Sequence, residues 1–159
     1  MALTRSNITV GAATAIEFPS GTDIGGTKGN VEIILEQELF DKIGDQIKGN
    51  LDRVLTRRSV RVRTELLEST VTNLHKASNL AAAQLSGSTL SITDSEPTPQ
   101  SLKIVGPSAN SGTRTCIFDS VRQVGNTGFS FGREIDQRYA CEFEAMWDTT
   151  ANRFGIIGN

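Results

Sequence analysis

VEIILEQE, residues 31–38, decides the fold. In an extended strand, successive side chains point to opposite faces. Val31, Ile33, Leu35 and Gln37 then share one face, which asks for a core, while Glu32, Ile34, Glu36 and Glu38 share the other. Three carboxylates therefore stand on one side of a single strand, about 7 Å between alternate residues. RSVRVRTELL, residues 58–67, alternates in the same way with the opposite charge. Val60, Val62, Thr64 and Leu66 face one way; Arg61, Arg63 and Glu65 face the other. RYACEFEAMW, residues 138–147, repeats the pattern near the C-terminal end. Tyr139, Cys141, Phe143, Ala145 and Trp147 make its apolar face, with Glu142 and Glu144 opposite.

The remaining chain fits around these strands. Residues 1–13 are small and polar without periodicity, an arm that needs a partner to order it. Residues 14–18 form a short strand closed by Pro19, and residues 20–30 are a glycine-rich connection into the acidic strand. Residues 39–57 mix polar residues with Leu39, Phe40, Ile43, Ile47 and Leu51 and are interrupted by Gly44 and Gly49, which predicts a long hairpin loop. Loops of that length in a compact domain are usually functional. One helix follows, with Ser69 as N-cap, Val71, Leu74 and Ala77 at helical spacing, and Asn79 closing it. Short strands are expected at 88–93, 101–105 and 113–120, separated by turns and by the glycine-rich stretch 124–132. A helix between two runs of antiparallel strands predicts one mainly-β domain over 1–159, a sandwich or rolled sheet with the helix on its side.

Composition sets the outer bounds. With 159 residues, 37% hydrophobic and 21% charged, the chain suits a globular protein with a substantial core. No apolar run approaches the ~20 residues of a membrane-spanning helix, and the N-terminus lacks the basic-then-apolar pattern of a signal peptide, so a cytoplasmic product is expected. A net charge of −2 gives no global positive field to hold nucleic acid. The cluster Arg53, Arg57, Arg58, Arg61 and Arg63 reads as a solvated or interface strand. In a reducing compartment Cys116 and Cys141 are expected as free thiols packed as small hydrophobes.

No catalytic constellation emerges. His75 is the one histidine and sits beside Lys76 on the expected helix, as a boundary residue. Together with two cysteines it falls short of the four ligands of a structural zinc site, and no local signature makes a thiol triad of it. GGTKG at 25–29 lacks phosphate-loop spacing and leads into a strand where that motif leads into a helix. Glu142 and Glu144 have the composition of an acid–base pair, yet their spacing is that of a solvated strand face. No cofactor and no metal is expected, and the chain is not expected to be an enzyme. What stands out is interaction surface: an arm, a long hairpin and strongly charged strands backed by apolar ones.

The order of these features resembles the tail tube (major tail) proteins of long-tailed bacteriophages, a family related to the tubes of contractile injection systems. Four stretches carry the likeness. IGGTKGNVEIILEQELFDKIGDQ resembles the family's glycine turn, first long strand and protruding hairpin; RSVRVRTELLESTVTNLHKAS resembles its return strand and short helix. TRTCIFDSVRQVGNTGFSFGRE is similar to a later hairpin, and YACEFEAMWDTTANRFGIIG to the closing strand, aspartate and apolar tail. The likeness spans residues 23–158 and lies in order and spacing. It departs from the family pattern in the absence of an added surface domain and in an arginine-rich strand beside the acidic one.

The resemblance implies a sandwich or barrel-like tail-tube fold with a flanking helix, assembled as homohexameric rings stacked into a tube through which DNA is ejected. In that setting Glu32, Glu36 and Glu38 face the lumen, joined by Glu142 and Glu144, because carboxylates repel phosphates and keep friction low. Arg61 and Arg63 pair with neighbouring glutamates and bring the wall toward neutral. Leu39, Phe40, Ile43, Ile47 and Leu51 become ring-stacking contacts, with residues 1–13 and 154–158 as further contacts. The implied partners are other copies of the chain, tail terminator and tail-tip proteins, a sheath protein in a contractile tail, and a tape-measure protein and DNA passing without specific binding. The implied location is the virion tail, assembled in the host bacterial cytoplasm. The rival readings are a tail terminator or connector ring and, from another class, a carbohydrate-binding β-sandwich, which needs an aromatic platform.

Overall fold

The structure, a computed structural model, describes residues 12–27, 30–43, 50–67, 70–80, 84–94, 96–108, 112–125 and 139–158, with the side chains of residues 43, 50 and 51 also outside the description. It is mainly β with one helix, as the alternation predicts. The strands are β1 (Ala15–Glu17), β2 (Glu32–Ile43), β3 (Asn50–Leu66), β4 (Leu85–Ser86), β5 (Thr89–Leu90), β6 (Gln100–Pro107), β7 (Thr113–Val124), β8 (Tyr139–Ala145) and β9 (Gly155–Gly158), with α1 (Val71–Ala77) after β3. Seven strands form one sheet in the order β1-β6-β7-β8-β3-β2, with β9 also paired to β7, and β4–β5 is a separate hairpin. The described pairings between these strands are antiparallel.

The sheet curls around its own apolar face. Phe18, just after β1, meets Phe143 of β8 with ring centroids 4.9 Å apart, although β6 and β7 lie between those strands in the ladder. Val60, Val62 and Leu66 of β3, Leu102 and Ile104 of β6, and Cys141 and Phe143 of β8 all turn into this core. Their period of two is the reason: in each strand every second residue is apolar, and the register sets those residues side by side. Ala77 of α1 is buried in the same cluster and Leu74 packs against it. Ion pairing adds to the β1–β6 junction, where Lys103 Nζ lies 2.8 Å from Glu17 Oε1. That hydrogen bond, helped by the Gly21 N–H, holds the Glu17 carboxyl below its usual range.

Several expectations are corrected. The connection assigned to 39–57 is mostly strand: β2 continues to Ile43 and β3 begins at Asn50, so only 44–49 lies between them. The helix cap is Thr70, whose hydroxyl accepts the Asn73 N–H at 3.2 Å; Ser69 lies outside the described residues. Asn79 does close the helix, in the left-handed region at φ 52°, where its side-chain amide donates to Thr98 O at 2.8 Å. Of the strand expected at 88–93 only Thr89–Leu90 is extended, as the second arm of the tight hairpin β4–β5. Trp147 does not continue the apolar face of β8. It has left the strand, is half exposed, and meets Phe154 edge-on at 5.2 Å. Most of the arm 1–13 and of the stretch 124–132 lies outside the described residues.

Candidate functional site

The wet side of the sheet is a charge ladder built by register. Glu32 lies opposite Arg63, Ile34 opposite Arg61, Glu36 opposite Ser59 and Glu38 opposite Arg57. On the other side of β3, Arg63 lies opposite Glu142 and Arg61 opposite Glu144; Glu144 in turn lies opposite Arg122 of β7. The structure thus brings Glu32, Glu36, Glu38, Glu142, Glu144, Arg61 and Arg63 onto one face. The sequence reading missed Arg57 and Arg122 on that face. Arg57 sits two positions before Ser59 in the same alternation, which was the signal for it. Arg122 is placed by the β7–β8 register, which no local pattern announces.

The ion pairs within the ladder are uneven. Both arginines turn to one carboxylate of β8: Arg63 Nε is 3.2 Å from Glu142 Oε2, and Arg61 Nη1 is 3.4 Å from Glu142 Oε1. On β2, Glu36 accepts a hydrogen bond from Ser59 Oγ at 3.3 Å. Arg122 pairs with Glu96, from the segment before β6.

The apolar side tells a different story at β2. Ile33 lies opposite Val62, and Leu35 opposite Val60. Val62 is 1% exposed and Val60 7%, whereas Ile33 is 36% exposed and Leu35 56%. The face expected to enter the core therefore reaches the core's rim and stays uncovered. The cause is position: β2 ends the strand order, and among the described residues nothing pairs with its outer edge.

Past Val60, which pairs with Ala145 at the end of β8, β2 and β3 continue with only each other. A ribbon of eight further residues in β2, to Ile43, and ten in β3, from Asn50, projects roughly 25 Å. A bulge between Glu38 and Leu39 shifts its register, and Thr56 Oγ1 donates to Glu38 O there at 3.0 Å. Beyond it, Leu39 pairs with Leu55 and Phe40 with Val54. Alternation puts the first pair on one face and the second on the other, and all four side chains are substantially exposed. Arg53 and Asp41 form an ion pair at 2.8 Å. Leu39 and Phe40 were expected contacts; Val54 and Leu55 were missed, although Leu39-Phe40-Asp41 against Arg53-Val54-Leu55 is a mirrored hairpin pattern. Ile43 and Leu51 lie in the two strands with side chains outside the description, and Ile47 lies outside the described residues.

The groups able to do covalent chemistry are placed elsewhere. His75 is in the last turn of α1. Cys116 and Cys141 are free and buried, and burial pushes the Cys141 thiol up to about 12 and raises that of Cys116, the opposite of an activated nucleophile. Among the described residues, no group of three or more His, Cys, Asp and Glu side chains is placed to hold a metal ion. Compared with known proteins, the chain matches no family model and no curated protein sequence.

Proposed function

We propose that this chain is the structural subunit of a bacteriophage tail tube, forming hexameric rings that stack into the conduit for DNA ejection. The observation that carries the proposal is the β2–β3 ribbon. A two-stranded hairpin without a third strand or a helix behind it is at best marginally stable in water. This one also exposes Leu39, Phe40, Val54 and Leu55, and its base carries the uncovered Ile33 and Leu35 on a strand whose outer edge is unpaired among the described residues. Open edges and apolar patches of this kind are resolved by pairing with another chain. Copies of the same chain, meeting edge to edge around a ring and ribbon to body between rings, cover both.

The charged face supports the same reading from another side. In a closed ring its carboxylates, Glu32, Glu36, Glu38, Glu142 and Glu144, line the lumen together with Arg61 and Arg63. Leu39 and Phe40 are then ring-stacking contacts, with terminator, tip and tape-measure proteins as further partners, and a sheath if the tail contracts. The order of sequence features already resembles that family. A terminator or connector ring differs in one outcome, since it stops at a single ring.

Negative-stain electron microscopy of the purified protein at rising concentration, with light scattering alongside, tests the proposal. Hollow tubes of stacked rings are expected, and their end views give the ring symmetry. Single rings that never stack would favour the terminator. A monomer at high concentration, unchanged on adding a tail-tip complex, would overturn the assembly reading.

A further inference from the structure

Glu142 occupies a singular place on the charged face. Its carboxylate sits between two guanidiniums that project from β3 at alternate positions: Arg63 engages both oxygens, with Nε 3.2 Å from Oε2 and Nη2 3.4 Å from Oε1, while Arg61 Nη1 joins on Oε1 at 3.4 Å. The three side chains keep part of their surface in water, 26% for Glu142, 33% for Arg61 and 49% for Arg63. Two arginines within reach of solvent and side by side on a flat strand are good donors to phosphate oxygens. A carboxylate bonded to both occupies one nitrogen of Arg61 and two of Arg63 and sets its negative charge between them.

We infer that Glu142 is a masking residue: by holding Arg61 and Arg63 it keeps the charged face from retaining polyanions, and without it this face becomes a phosphate-binding surface. The inference rests on the proposed DNA-facing role of this side of the sheet. It differs from simple repulsion by a negative wall. Carboxylates and guanidiniums alternate across β2, β3, β8 and β7, so the face is nearly balanced. Non-adhesion then depends on where each carboxylate sits more than on how many there are. The opposing view is that these pairs only fix strand register and add to stability.

Fluorescence anisotropy with a labelled duplex of about 20 base pairs, at 50 mM and 200 mM salt, separates the two views. Glu142→Gln is expected to bind at least tenfold more tightly than the unsubstituted protein at the lower salt. Its log–log salt dependence should steepen by about 2, the release expected for two phosphates at ~0.9 each. Adding Arg61→Gln and Arg63→Gln to that variant should return binding to the starting level. Asp94→Asn, in an exposed segment, makes the same change in net charge and should change little. Should Glu142→Gln fail to fold, the exposed Glu32→Gln, which removes the carboxylate opposite Arg63 in the β2–β3 register, is expected to give a smaller gain of the same kind. A folded Glu142→Gln with no gain, no gain from Glu32→Gln where it stands in, a gain that survives loss of both arginines, or an equal gain from Asp94→Asn would each overturn the inference. Anisotropy reads the face of the soluble protein, so absence of rings in the microscope would remove the conduit reading and leave this result standing by itself.

Discussion

The two halves of the β2–β3 hairpin obey one rule and reach opposite ends. At its base, β3 alternates Val60, Val62, Thr64 and Leu66 with charged neighbours, and all four are buried. In its distal ribbon, the apolar pairs Leu39–Leu55 and Phe40–Val54 are consecutive and fall on opposite faces, and all four side chains stay exposed. Composition does not separate them; the neighbours do. At the base, β3 is flanked by β2 and β8 and its apolar residues share one core with Phe18 and Ala77 of α1, whereas among the described residues the ribbon has two strands and nothing behind either face. Alternation therefore specifies what a face is suited to cover, and the topology decides whether anything covers it.

The strongest way to break this comparison is to cut the body. Phe143 is fully buried against Phe18, so Phe143→Ala should cost about 3–5 kcal/mol, read as a lower midpoint in urea denaturation. A smaller loss is expected at the end of the sheet. A Cβ on Gly155 would come within 2.4 Å of Ile117 O and 2.7 Å of a Phe118 ring carbon, while one on Gly158 meets nothing within 4 Å. Gly155→Ala should therefore destabilise by about 1–3 kcal/mol, and Gly158→Ala, at the other end of the same strand, should leave the thermal melt unchanged. The smallest effect on the isolated chain belongs to the ribbon. Phe40→Ser should change unfolding free energy by less than about 0.5 kcal/mol while suppressing tube formation by light scattering. Should Phe40→Ser cost the chain as much as Phe143→Ala, body and ribbon would be one cooperative unit and the contrast would fail.

Much of the body was legible because its signals are local. Residues 58–67 and 139–145 advertise their faces by period two, and the helix by the stripe Val71, Leu74 and Ala77 and by Asn79, a residue tolerant of positive φ, whereas its cap is Thr70 and not the Ser69 that the sequence suggests. The ribbon reads as loop in the sequence because Gly44 and Gly49 interrupt the chain between its strands and the strands themselves carry charge where a core strand would not. A strand wet on both sides has no alternation of polarity to display. The uncovered Ile33 and Leu35 escaped for the converse reason: with Val31 they make the apolar side that a core strand shows, and only the position of β2 at the end of the strand order exposes them. The order itself, with β1 beside β6 and β7 beside both β8 and β9, depends on pairings far apart in sequence. The seven charged residues of the candidate site were named from alternation, but their sharing among pairs, with Glu142 holding two arginines, came only from the register.

β3 is one unbroken strand from Asn50 to Leu66, and this makes it a mechanical member as well as a packing one. A pull on the ribbon along its axis enters the body through β2 and β3, and of the two only β3 is laddered onward to β8. There it meets the ladder from Val60 to Leu66 against β8 lengthwise, so the rungs share the load at once and none opens alone. A sideways force on the same ribbon would instead peel β2 from β3 one pair at a time. The molecule is stiff in tension along the strand and compliant in bending across it, the combination of properties found in a link of a flexible chain.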